Sequence, residues 1–188
     1  MITVEQAKQL CVEAHKGQYR RYRPATAEEY TSDEVIAYPN DTFYFPNGNI
    51  MKYDPQNIEC PYTIKEPYHT HPFAVADMMT TDEEKIVAYL HDVVEDTEAI
   101  LLNDFSMTEF YILFKNNKYP ISSKIHYALS CLTKYSENTY GEYIMDIKEN
   151  KLATKVKIAD ITSNLFDNPS EKAKAKYFKA LPILLNTL

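Results

Sequence analysis

Six consecutive residues, His91-Asp92-Val93-Val94-Glu95-Asp96, set an imidazole and three carboxylates into an otherwise apolar stretch. A histidine beside an aspartate can present two donors to one divalent cation. Imidazole with carboxylate is a hard-to-borderline ligand set that suits Mn²⁺, Fe²⁺, Zn²⁺ or Mg²⁺. On a helix, residues four apart stack on one face, so Glu95 and Asp96 project from the side that carries His91 and Asp92. Ile86, Val87, Ala88, Leu90, Val93 and Val94 make this segment apolar. Ionisable groups within such a run are costly unless something pairs with them. A solvated acidic helix end with an incidental histidine would read the same way over these residues alone, so the weight falls on the rest of the chain.

A metal site of this kind draws ligands from several helices, and two other segments offer them. Pro67-Tyr68-His69-Thr70-His71-Pro72 puts two histidines at a helix entrance. Val156-Lys157-Ile158-Ala159-Asp160 is followed by Asn164. Asp160 and Asn164 lie four apart on one helix face, which serves either a metal or a hydrogen-bonded Asp–Asn pair.

The elements that must position these groups are mostly helical. Residues 3–16 carry the stripe Val4, Ala7, Leu10, Cys11 and Ala14, with Thr3 and Gln6 as a capping box and Gly17 as a stop. Helical periodicity returns at 72–80 and 82–96, the latter capped by Thr81 with Glu84 at the third position. Further helices are expected over 106–116, 121–133, 139–149, 151–166 and 170–186, with Asn150 and Asn168-Pro169 as breaks. Residues 22–66 differ, being rich in Pro, Tyr and turn signals. Phe43-Tyr44-Phe45 and Ile50-Met51-Lys52-Tyr53 are expected to pair as a hairpin. The expected architecture is all-α, a single domain over 1–188 with an irregular, hairpin-containing insertion at 22–66.

With 188 residues, 45% hydrophobic and 25% charged, the chain can bury one sizeable core. Only 3 glycines are present, and no GxGxxG or GxxxxGK[ST] occurs, which removes dinucleotide and P-loop sites. A net charge of −7 argues against a nucleic-acid polymer as partner. Cys11, Cys60 and Cys131 have no metal-knuckle spacing and read as free thiols of a reducing cytoplasm. No signal peptide or membrane span is expected.

Taken together and in order, several segments resemble the hydrolase domain of the RelA/SpoT family, a branch of the HD phosphohydrolases. They are His15-Lys16-Gly17-Gln18-Tyr19-Arg20-Arg21, Pro67 to Pro72, Ala88 to Thr97 with its HDxxED core, Leu132-Thr133-Lys134, and Val156 to Asp160 with Asn164. The likeness covers nearly all of the chain except 22–66 and implies an HD-domain helical bundle. It also implies one divalent metal per chain, usually Mn²⁺, held by His71, His91, Asp92 and Asp160. Glu95 and Asp96 would act on the attacking water and the leaving group, and Asn164 would lie near the ribose. Arg20 or Arg21 would cover the purine base, Tyr177 would line the nucleotide pocket, and Lys134 would face phosphate. Two departures stand out. Ile161 follows the metal aspartate where relatives carry Arg or Lys, and the long 22–66 segment replaces a connection of a few residues.

The reaction so implied is metal-dependent hydrolysis of the 3′-pyrophosphate of a guanosine or adenosine alarmone, (p)ppGpp or (p)ppApp, to GDP or GTP (or the adenine equivalents) and pyrophosphate. Adjacent carboxylates repel, so one of the Glu95–Asp96 pair should bind its proton more tightly than usual. An HD-type nucleotidase or dNTP phosphohydrolase and an antitoxin-like protein are the alternatives. The small-molecule substrate is the expected partner, and a second copy of the chain or a toxin remains open. Base preference is not legible. His15 reads as a structural residue or as a hydrogen-bonding neighbour of the site, and His69 and His126 read as non-ligands.

Overall fold

The computed structural model describes residues 1–24, 36–38, 42–44, 50–53, 62–167 and 169–188, with backbone alone over 21–64. The chain divides into two compact units, Met1–Ala14 with His71–Leu188, and His15–Thr70.

In the larger unit the first helix, α1 (Val4–Ala14), buries Ala7, Leu10 and Cys11. It starts at the expected capping box: the Thr3 hydroxyl accepts from the Gln6 N–H at 3.2 Å, and the Gln6 side chain accepts from the Thr3 N–H at 3.0 Å. Helices α2 (Thr70–Asp77) and α3 (Asp82–Leu90) follow. The Thr81–Glu84 capping box forms at the head of α3. Ile86, Val87, Ala88 and Leu90 make α3 buried on nearly all sides; each large aliphatic side chain there contributes about 1.5–3 kcal/mol.

The expected single helix over 82–96 is interrupted. It stops at Leu90, and a short turn of helix, α4 (Val93–Asp96), resumes after His91 and Asp92. The backbone at His91 is still helical, at φ −60° and ψ −37°. Its ring Nδ1, however, donates to the Ala88 carbonyl at 2.7 Å. That carbonyl would ordinarily serve the next turn, so the imidazole takes over a backbone bond as the helix breaks.

The expected helix over 106–116 is absent, and the helical unit contains a small sheet instead. Strands β6 (Ile100–Asn103), β7 (Phe110–Phe114) and β8 (Asn117–Ile121) form an antiparallel meander in the order β6-β7-β8. Phe110-Tyr111-Ile112-Leu113-Phe114 is a continuous aromatic and aliphatic run that fits a pleated surface. The β7–β8 loop has φ 46° at Lys115 and 66° at Asn116, the pair of positive angles of a type I′ turn. The Ile2 N–H donates to the Pro120 carbonyl at 2.6 Å, which occupies part of the β8 edge.

The remaining helices agree with their periodicity. They are α5 (Ser123–Leu132), α6 (Tyr140–Lys148), α7 (Lys151–Phe166) and α8 (Glu171–Leu185). The N-caps are Ser122, Thr139, Asn150 and Ser170. Helix α3 packs on α1, α5 and α7, and α7 also packs on α6 and α8. The core is thus gathered around α3 and α7, the helices that carry the expected ligands.

In the smaller unit the expected hairpin belongs to a larger sheet. Strands β1 (Tyr19–Pro24), β2 (Ile36–Tyr38), β3 (Thr42–Tyr44), β4 (Ile50–Tyr53) and β5 (Tyr62–Pro67) form an antiparallel sheet in the order β1-β5-β4-β3-β2. Thr42 pairs with Lys52 and Tyr44 with Ile50, so the two expected segments do pair. Gly17 adopts φ +81° in the turn before β1. The fold is therefore predominantly helical, with a β-structured insertion and a second small sheet that periodicity missed.

Glu84 ties α3 to α7. Its carboxylate accepts from the Lys155 amine at 2.6 Å as well as from Thr81 and Thr80. Lys155 first, then Thr81 and Thr80, outweigh burial and hold its pKa down from 4.5 to about 2. A depressed folded-state pKa stabilises above 4.5, and that stability is lost as pH falls through about 2. Glu84→Gln is expected to unfold about 1–2 kcal/mol more easily at neutral pH, after discounting for the half-exposed Lys155. Denaturant titrations should show the gap to wild type closing below pH 4.5 and nearly gone at 2; a gap that is constant with pH would contradict this linkage.

Candidate metal centre

Helices α2, α3 and α7 bring four donors to one place within the helical unit. His71 lies in the first turn of α2, His91 and Asp92 at the α3–α4 junction, and Asp160 in α7. Donor atoms of His71, His91 and Asp92 lie within 4.8 Å of one another. His71 Nε2 is 2.9 Å from Asp160 Oδ1 and 3.7 Å from Asp92 Oδ2. His91 Nε2 is 3.1 Å from Asp92 Oδ1 and 3.9 Å from Asp160 Oδ1. His71, His91 and Asp160 are buried, and Asp92 is half-buried.

The hydrogen bonding fixes how the imidazoles face the carboxylates. His91 donates from Nδ1 to Ala88, so in the neutral ring Nε2 carries a lone pair. That atom is buried and has no hydrogen-bond partner among the described residues. Its short distance to Asp92 is therefore an approach of lone pair to carboxylate oxygen, which a cation between them would make favourable. His71 Nδ1 is 3.1 Å from the Ser163 hydroxyl, an outer contact of the kind that orients a ligating imidazole. Burial lowers the His71 pKa against the pull of Asp160, which favours the neutral, ligating form. Donor types, burial and the orphaned nitrogen all fit a divalent cation.

Asp160 is held ionised in spite of its surroundings. Burial alone would raise its pKa, but Lys157, His71 and His91 overcome this and keep it well below the usual carboxylate range. Lys157 Nζ lies 2.8 Å from Asp160 Oδ2, one helical turn away. It also sits 5.1 Å from the centroid of Tyr143, whose hydroxyl donates to the Leu132 carbonyl at 2.6 Å. Asn164 donates from Nδ2 to Asp160 Oδ1 at 2.5 Å. The four-residue spacing thus forms the hydrogen-bonded pair, on the same carboxylate oxygen that meets His71.

Glu95 and Asp96 fall in α4, both reaching solvent. The pKa of Glu95 is raised, first by the protein packed against it, then by Asp92 and Asp96, while Lys157 and the Lys134 N–H pull the other way. Crowding therefore outranks the carboxylate repulsion expected from the sequence. Lys134, half-buried after α5, thus touches the site through its backbone, and its amine reaches the Tyr135 carbonyl at 3.4 Å. Tyr177, in α8, is half-buried against the core. Lys176, in α8, is a cation that the sequence reading did not single out; burial, then the charge of Lys157, lowers its pKa against the pull of Asp160 and Glu95. A lysine-rich helix reads as a solvated face, so no local signal marked it.

Arg20 and Arg21 lie on β1, in the smaller unit, and the Arg21 side chain is outside the described residues. His15 is buried in that unit, with Nδ1 2.8 Å from Gln18 Oε1 and its ring 4.6 Å from that of Tyr68. His126 packs against Phe110 at 4.8 Å, within the helical unit.

A mostly helical fold with an interrupted helix that presents His-Asp, and with a third and a fourth donor from flanking helices, is the arrangement expected from the sequence resemblance. One comparison of three bears on the fold. No family model matches the chain, and no curated protein does. Among solved structures, it is similar to a protein described as a metazoan ortholog of SpoT that hydrolyzes ppGpp and plays a role in starvation responses. The TM-score is 0.50 at 17% identity, over 98% of this chain and 84% of that one.

Ile161, where the resemblance implies a basic residue, is fully buried in the core. The cation next to Asp160 comes instead from Lys157, one turn earlier. Restoring a basic residue by Ile161→Arg is expected to bury an unpaired charge and cost more than about 3 kcal/mol. Chemical denaturation measures this; a variant as stable as wild type would show that the side chain escapes the core.

Proposed function

We propose that this chain is a metal-dependent alarmone hydrolase, cleaving the 3′-pyrophosphate of (p)ppGpp or (p)ppApp to leave GDP or GTP, or the adenine equivalents, and pyrophosphate. It would act as one HD domain over 1–188, with 22–66 inserted, in the cytoplasm. Among the described residues no helix is long and apolar enough to cross a membrane. The observation that carries the reading is the convergence of His71, His91, Asp92 and Asp160 with the His91 Nε2 lone pair buried and unpartnered. The fold likeness to a ppGpp-hydrolysing protein supports the substrate class.

His71, His91, Asp92 and Asp160 would hold one divalent ion, Mn²⁺ by resemblance. Such an ion supplies positive charge against the attacked phosphoryl group and acidifies the attacking water. Ser163 keeps the His71 ring oriented, and the Ala88 carbonyl does so for His91. Glu95, with its raised pKa and one side open to solvent, accepts the proton of the attacking water. Asp96 beside it deals with the leaving group. Lys157, held by Asp160, keeps that carboxylate ionised and adds positive charge for phosphate, with Lys134 near Glu95. Asn164, fixed on Asp160, faces the ribose, and Tyr177 lines the nucleotide pocket.

The test is turnover. Purified protein should release pyrophosphate from ppGpp or ppApp with Mn²⁺ and not with EDTA, as resolved by ion-exchange chromatography. No release from either, with metal bound, would refute the assignment. His71→Ala or Asp92→Ala should lose both metal and activity. Glu95→Gln should keep the metal and lose rate by roughly 10²–10⁴-fold; wild-type turnover in that variant would remove Glu95 from the reaction.

A further inference from the structure

The two edges of the β6-β7-β8 sheet differ in how they are guarded. Strand β8 carries Lys118 and Pro120, and the Ile2 N–H meets its edge at the Pro120 carbonyl. Lysine and proline are common means of keeping an edge from pairing with another chain. Strand β6, Ile100-Leu101-Leu102-Asn103, has neither and is uncharged. Among the described residues no backbone hydrogen bond reaches its outer side. In an antiparallel pair, alternate residues turn both backbone groups to the neighbouring strand. The Asp104 N–H donates to the Glu109 carbonyl at 2.9 Å, which makes Asp104 and Glu109 a bonded pair. Counting back along the register, Leu102 and Ile100 bond to β7, while Leu101 and Asn103 turn their N–H and C=O groups to the open edge.

The face of this sheet turned away from the core is apolar too. Ile112 and Phe114 of β7 are buried, and Leu101 of β6 packs on the core with them. Alternation puts Ile100 and Leu102 on the opposite face, where the register sets them beside Leu113 and Tyr111. An antiparallel sheet with one free face ordinarily carries polar residues there. Beyond the end of β6 stand Phe105, fully exposed, and Met107, exposed at φ 58°. The turn that holds them is firmly tied: the Asp104 carboxylate accepts from the Thr108 and Glu109 N–H groups, each at 2.6 Å, and from the Ser106 and Thr108 hydroxyls. At the start of the strand Ile100 is half-exposed. The open edge thus has apolar side chains at both of its ends.

We infer that β6 is the contact strand of a homodimer and pairs antiparallel with β6 of a second copy, across a two-fold axis at Leu102. In that register Leu101 of each copy faces Asn103 of the other, so every outward N–H and C=O of β6 finds a partner and the two meanders join into one continuous sheet. Phe105 falls opposite Ala99 of the second copy and next to its Ile100, so the exposed turn of each copy covers the exposed strand start of the other. An unrelated strand would need apolar ends in matching places; a second copy has them by identity. Such an isologous contact closes at two subunits. The dimer is independent of which reaction the helical unit performs.

The test is sedimentation velocity on the purified chain over a dilution series, which should show a concentration-dependent dimer. Like charges directly opposite one another across the axis should break it. Leu102→Lys and Leu102→Glu should therefore each sediment as monomers, with wild-type circular dichroism, and an equal mixture of the two should dimerise again. Asn103→Pro removes an outward N–H at an exposed position and spares the bonds to β7. It should weaken the dimer roughly tenfold or more, since the symmetry removes two hydrogen bonds at once, and it decides the matter if a charge at position 102 unfolds the chain. A monomer at every concentration would overturn the inference, as would a dimer undiminished in Leu102→Lys or in Asn103→Pro. A mixture of the folded Lys and Glu variants that stays monomeric would overturn the axis at Leu102. A chain that stays monomeric and associates only with a different protein would put another occupant on the edge and overturn the homodimer.

Discussion

The Lys157–Asp160 pair is the interaction on which the site depends. Asp160 lies in α7 amid the core of the helical unit, where an isolated carboxylate would take up a proton and cease to be a ligand. Lys157 one turn earlier prevents this, with Tyr143 under the amine and Asn164 on the remaining oxygen. The carboxylate is thereby ionised, oriented and limited in its freedom before any ligand arrives. His71 from α2 and His91 from the end of α3 then meet a fixed negative partner, and each ring is steered by its other nitrogen.

This arrangement also explains the shape of the surrounding fold. Helices α3 and α7 run through the middle of the core, and on the proposed reading each brings a ligand there from an apolar environment. Helix α3 ends at His91, where the ring takes the Ala88 carbonyl, and that break moves Glu95 and Asp96 into a separate turn with one side open to solvent. On the proposed reading this exposure serves proton transfer, and the burial on the other side of the break serves metal ligation.

Much of this was legible in the residues. Thr3–Gln6 and Thr81–Glu84 announce their helices by spacing, Asn150 announces α7, and the apolar stripe of α1 faces the core as its periodicity requires. His91, Asp92 and Asp160 stood out because ionisable groups were set in apolar runs, whereas the choice of His71 over His69 came from the resemblance. Three features were not legible, each for a physical reason. The break at His91 uses helical backbone angles, so no Gly or Pro marks it. The β7–β8 hairpin turns at Lys115-Asn116, a pair without glycine, and its flanking apolar run also fits a buried helix. The five-stranded sheet depends on pairing β1 with β5, far apart in sequence, which local patterns do not encode. Lys176 was hidden for a related reason, since only the fold reveals which of several lysines on α8 lies over the rings of Tyr140 and Tyr177.

The most direct test of the central claim is magnetic resonance of the Mn²⁺-loaded protein. Titration followed by electron spin-echo spectroscopy counts the ions and the nitrogens bound to them. The account predicts one ion per chain with two imidazole nitrogens in direct coordination, falling to one in His91→Ala. An ion without nitrogen coupling, or no stoichiometric binding, would contradict it.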